Sequence, residues 1–147
     1  MVAALLLVVL ISGTAIWNKV HAVNSVTPGA HQVQIKLGDT VIVSDIADTE
    51  VLREQGLSGR AELSEKSGML FVFPQDGEYA FWMKDMLFSI DIIWLTQDKK
   101  VVYIVKDAKP ESYPSSFVPS GMSRYVIEVP AGWTMRHQVT VGSVATF

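Results

Sequence analysis

The chain has 147 residues, with 12 basic and 15 acidic side chains, a net charge of −3 at pH 7 and 49% hydrophobic residues. Mild acidity with scattered Lys and Arg argues against nucleic acid, which selects a basic face. Cysteine is absent, so packing rather than disulfide staples must hold the fold, and a lipidated cysteine is excluded.

Met1–Ile11 is an unbroken apolar run, and the first charged side chain is Lys19. Residues 1–22 therefore read as a secretory signal peptide, with Val20-His21-Ala22 as its small-residue cleavage site, or as an N-terminal membrane anchor if left uncut. Either way the protein is expected outside the cytoplasm: periplasmic, extracellular or membrane-anchored. Loss of the segment holding Lys19 would leave 11 basic against 15 acidic residues, a net charge of −4. Residues 23–30, with Asn, Ser, Thr, Pro and Gly, read as a linker. Residues 31–147 suit one domain.

The domain opens with Val33, Ile35 and Leu37 alternating against Gln32, Gln34 and Lys36, the pattern of a half-buried strand. Gly38-Asp39 is a hairpin turn, and Thr40–Val43 returns as the partner strand. Asp48 or Thr49 caps a short helix, Glu50–Gln55, which Gly56 ends in a left-handed conformation. Met69–Phe73 reads as a strand buried on both faces and stopped by Pro74. Gln75-Asp76-Gly77 is turn chemistry, and Tyr79–Lys84 reads as the returning strand. Asp91–Leu95 is another buried strand, and Gln97-Asp98-Lys99 turns the chain into Lys100–Lys106. Residues 107–124 form a long irregular segment with three prolines, of the kind that is usually functional or mobile. Tyr125–Val129 is a strand ended by Pro130, Trp133–His137 a helical turn, and Val139–Phe147 a last short strand pair. Many short strands with regular turn signals predict a mainly β domain, an antiparallel jelly-roll-like sandwich or barrel with one or two short helices. Phe71, Phe73, Phe81, Ile92, Trp94 and Val126 are its expected core.

Several of these blocks, in this order, resemble the family called domain of unknown function 192 (DUF192). They are Glu54-Gln55-Gly56-Leu57-Ser58-Gly59-Arg60, Gly68-Met69-Leu70-Phe71-Val72-Phe73, Phe81-Trp82-Met83-Lys84-Asp85-Met86, Ile90-Asp91-Ile92-Ile93 and Tyr125-Val126-Ile127-Glu128-Val129-Pro130-Ala131-Gly132. The chain departs from the family pattern at Asp85-Met86, where Asn-Thr is usual, and at Ser89-Ile90-Asp91, where Pro-Leu-Asp is usual. The resemblance implies a compact, mostly β, jelly-roll-like domain that often follows an export signal. It implies no activity.

Charges inside apolar blocks are seldom buried unless paired. The plainer reading of Arg60, Lys84, Asp85, Asp91 and Glu128 is an ion pair of Lys84 or Arg60 with Asp91 that fixes strand register. The sharper one is a polar pocket floor that grips an anionic or hydroxylated ligand. Trp82 and Trp94 are expected in the core, whereas Tyr113 and Trp133 are the better surface candidates for stacking on a sugar. The candidate ligand-binding residues are thus Arg60, Trp82, Lys84, Asp85, Asp91, Tyr113 and Glu128. His21, His31 and His137 share no metal-like spacing, and no catalytic residue, metal or cofactor is assigned. Ser115-Ser116 lacks a nucleophile elbow, and Gly56 with Gly59 is not a phosphate loop. The function expected is a non-catalytic extracytoplasmic binding module for a small polar ligand or an envelope polymer. The alternatives are a hydrolase of envelope carbohydrate using Asp85, Asp91 or Glu128, and a structural or protein-interaction domain.

Overall fold

A computed structural model describes residues 31–147; the expectations for residues 1–30 lie outside the described residues. The domain is mainly β, as its alternating segments predict. Its strands are β1 (Gln32–Leu37), β2 (Thr40–Ala47), β3 (Ser67–Gly77), β4 (Phe81–Trp82), β5 (Ile90–Leu95), β6 (Val101–Ala108), β7 (Ser116–Phe117) and β8 (Ser123–Pro130). The two helices are α1 (Glu50–Gln55) and α2 (Trp133–Arg136). Six strands form one sheet in the order β1-β2-β3-β8-β5-β6, and β4 pairs with β7 in a separate ribbon. Among the described residues no helix is long and apolar enough to cross a membrane.

The sheet is mixed, which corrects the expectation of a wholly antiparallel one: β2 and β3 run parallel, with Val43 opposite Ser67 and Ala47 opposite Phe71. Parallel neighbours need a crossover of a dozen or more residues, and residues 48–66, carrying α1, supply it. The expected hairpin of Met69–Phe73 with Tyr79–Lys84 is also absent. β3 runs on through Pro74 to Gly77, and its partners are β2 and β8. Pro74 is tolerated because the β3–β8 register shifts between Val72 and Gly77, so its missing N–H is not called on there. The turn predicted at Gln75-Asp76-Gly77 is part of β3, and residues 78–80 link it to β4. The final stretch makes only single bridges, Lys36 with Thr146 and Lys100 with Val144, in place of a strand pair.

Because strand side chains alternate, the sheet buries two faces. One holds Ile35, Leu37, Leu70, Ile93, Ile127 and Val129 against Trp133 of α2. The other holds Phe71, Ile92, Trp94 and Val126 with Leu57, Met83 and Met86, and α1 and β4 lie on that side. Glu128 follows Val126 by two on β8 and so shares this second face. Phe73 and Phe81, expected in the core, are only half-buried and pack at its edge. Trp133, expected at the surface, is fully buried and donates its indole N–H to the Glu65 carbonyl at 3.1 Å. Trp82, expected in the core, is 51% exposed.

Candidate functional site

α1 forms where the sequence predicts. Thr49 caps it, its hydroxyl accepting from the Leu52 N–H at 3.3 Å, and Gly56 closes it with its N–H on the Leu52 carbonyl at 2.9 Å. Gly56 has a φ of 49° with ψ of −134°, a positive φ but not the left-handed helical conformation expected. Arg53 clamps the helix to β3: its Nη1 donates to the carbonyls of Asp48 at 2.6 Å and Val72 at 2.9 Å, and its guanidinium lies 5.3 Å from the Phe73 ring centre.

Opposite α1, aromatic rings stack into a wall. Phe81 meets Phe71 edge-on at 4.8 Å and Trp94 at 5.7 Å, while Phe73 and Tyr79 lie parallel at 3.5 Å. The Tyr79 hydroxyl donates to the Gln75 carbonyl, and the Trp94 indole N–H to the Tyr79 carbonyl. β7 then holds β4 from behind, Phe81 opposite Phe117 and Trp82 opposite Ser116. Between this wall and α1 opens a cavity of about 800 Å³. Its buried lining is Leu57, Phe71, Met86 and Glu128, and its lip carries Glu50, Glu54, Trp82 and Lys84. The size suits a small-molecule site.

Glu128 is the polar group of that depth. It is 5% exposed, and its Oε2 is buried with no hydrogen-bond partner. Burial pushes its carboxyl up to about 8, against a smaller downward pull from Arg60. A buried polar atom left unpaired is rare enough to require an explanation.

The other candidates divide. Trp82 and Lys84 line the same cavity. Tyr113 backs Trp82, edge-on at 5.8 Å, and is itself 45% exposed. The glycine-rich corner does meet the Lys84–Asp85 turn, but through backbone: the Ser58 hydroxyl donates to the Lys84 carbonyl at 2.8 Å and the Gly59 N–H to the Asp85 carbonyl at 2.9 Å. Asp85 takes a φ of 55°, a conformation that Asp and Asn tolerate better than other side chains.

The expected ion pair of Lys84 or Arg60 with Asp91 does not exist. Arg60 pairs instead with Asp45 at 2.7 Å, and Lys84 makes no ion pair among the described residues. Burial raises the Asp45 carboxyl, but hydrogen bonds from Gln32 and Arg60 outweigh it and hold it below the usual range. Asp91 is fully buried and accepts from the N–H groups of Asp107, Gly132 and Thr134 and from the Thr134 hydroxyl, at 2.6–3.0 Å. It anchors the start of α2. Asp91 also stands opposite Val129 in register, so it faces away from Glu128 across the sheet.

Sequence reasoning missed a second polar cluster on the α2 side. Arg136 binds Glu65 through two nitrogens at 3.0 and 2.7 Å, and His137 bridges Asp39 at 2.9 Å and Glu65 at 3.1 Å. These residues are up to 98 positions apart, and nothing local in the sequence marks them as neighbours. Among the described residues no group of His, Asp and Glu has the arrangement of a metal site.

The family model of DUF192, described as an uncharacterized ACR, matches residues 31–147. A crystal structure from Sinorhizobium meliloti 1021, named as a candidate transcription regulator, is similar with a TM-score of 0.76 and 24% identity, over 80% of this chain and 94% of that one. A protein of unknown function from Novosphingobium aromaticivorans DSM 12444 is similar with a TM-score of 0.76 and 26% identity, over 82% and 89%. No curated protein is significantly similar.

Proposed function

The chain belongs to the DUF192 family, and from that premise we propose that it is a non-catalytic binding module that works outside the cytoplasm and takes a small polar ligand in the cavity between α1 and the β3–β4 wall. One observation carries the reading: Glu128 offers an unpaired buried oxygen at the depth of a cavity walled by aromatic rings. A fold that left such a group unpaired for no purpose would bear the whole cost of its desolvation. Trp82, half exposed at the lip, gives the ligand a flat apolar face. The apolar run Met1–Ile11, at the start of the segment 1–22, supports export. Of the carboxylates named for the hydrolase alternative, Asp91 is committed to α2 on the other face of the sheet, away from Glu128.

Native mass spectrometry of the protein purified from its own host tests this reading. A small-molecule adduct is expected, lost in Trp82→Ala while the fold survives. Cleavage of envelope carbohydrate by the wild type, abolished in Glu128→Gln, would replace the binding reading with the hydrolase.

A further inference from the structure

The depth of the cavity says more about what would enter it. Its buried lining is apolar in Leu57, Phe71 and Met86, and Glu128 is its one hydrogen-bonding side chain. Gln55, Ser58 and Gln75 add polar groups nearer the mouth, but a sugar or polyol pushed to the depth beside Leu57, Phe71 and Met86 would find a single polar side chain among the described residues, Glu128. An anion would find no free cation among them at that depth. Arg53 is engaged with two carbonyls and the Phe73 ring, which leaves Lys84, exposed at the lip, as the lining's other cation. The chemistry that fits is a single positive head on an apolar body. Aromatic faces attract cations through the negative charge on their π faces, and a carboxylate without a donor lacks only a positive partner.

Resting on the proposed cavity-binding role, we propose that the ligand is an organic cation, its ammonium group seated on the Glu128 carboxylate and its apolar body against Phe71, Phe81 and Trp82. In the empty protein Glu128 holds a proton at neutral pH because burial disfavours its charged form. The cation takes that proton's place, so binding releases a proton to solvent. The charged groups around the site are Glu50, Arg53 and Glu54 from α1, Lys84 after β4, and Arg60, which faces Asp45 of β2. Met69 of β3 and Ile92 of β5, the register neighbours of Glu128, carry no charge.

Benzyltrimethylammonium, whose charge does not titrate, is the probe, and benzyl alcohol is its neutral counterpart. Calorimetry on the chain as its host produces it should show affinity for the cation rising with pH. With the carboxyl at about 8, the ionised fraction grows roughly 90-fold from pH 6 to pH 9, and affinity should grow with it. At pH 7, buffers of different ionisation enthalpy should reveal close to one proton released, a measurement that needs only the wild type. Glu128→Gln should abolish the pH slope and lower cation affinity at pH 9 by at least that factor, since the slope itself requires the uncharged form to bind far more weakly, with benzyl alcohol binding retained. Cation binding without a pH slope or proton release, or benzyl alcohol binding alone, would overturn the cation inference and leave the cavity-binding role standing. If neither probe binds and the host protein carries no adduct, both fall.

Discussion

Replacing Glu128 with glutamine keeps the side chain's size and removes its charge. In the unfolded chain its carboxyl ionises near 4.5, and in the folded protein only near 8, because burial penalises the ionised form. Below pH 4.5 both states hold the proton, and the stability from this group is fully present. Between those two values the unfolded chain gives up a proton that the folded one keeps, so stability falls as pH rises and has been lost once pH passes 8. At about 1.4 kcal/mol per pH unit, the span amounts to about 5 kcal/mol, comparable with the whole stability of a modest domain. Glutamine cannot ionise, so Glu128→Gln escapes this loss. Urea unfolding of both proteins at several values from near pH 4 to near pH 9 measures the effect, and subtracting one from the other cancels the titrations they share. The stability of the variant relative to wild type should climb by about 5 kcal/mol across that range. A difference that stays constant with pH would refute the buried, protonated carboxyl and remove the footing of the cavity reading.

Asp91→Ala should cost about 3–5 kcal/mol by chemical denaturation, since four donors around α2 lose their acceptor. Lys84→Met, by contrast, should stay within about 0.5 kcal/mol of wild type, because Lys84 is exposed and makes no ion pair among the described residues; a large loss would restore the Asp91 pairing. Phe71→Ala should cost about 3–5 kcal/mol in the same assay, as Phe71 is 2% exposed and braces Phe81; an unchanged melting temperature would contradict that packing. Fusing residues 1–30 to a reporter active only outside the cytoplasm should give signal, with a mature N-terminus near Val23 if the segment is cut. Full-length protein soluble in the cytoplasm would sink the export proposal.

What the sequence determined by itself was local. The hairpin of Gln32–Leu37 with a strand starting at Thr40, expected to end at Val43 and running on to Ala47, the capped helix α1, the apolar strand β5 and the turn of α2 follow from periodicity, capping side chains and turn residues within a few positions of one another. Asp91 and Glu128 could be picked out because each is an acid inside an apolar strand. Their fates could not be told apart, since both sit in similar runs and only the neighbours differ. Register on β5 delivers Asp91 to the free N–H groups of α2, where it is satisfied; register on β8 delivers Glu128 to the opposite face, where no donor waits. Trp82 and Trp133 exchanged their expected places for the same reason. A two-residue strand held by β7 leaves one indole at a cavity lip, while α2 folds the other into the core. Strand order was likewise decided by the tertiary structure: the crossover through α1 puts β2 beside β3 in parallel and hands the far edge of β3 to β8, some fifty residues on. Alternation tells which residues of a strand share a face, but which strand lies alongside it is set by long-range packing, and that packing alone places Glu128 in the cavity.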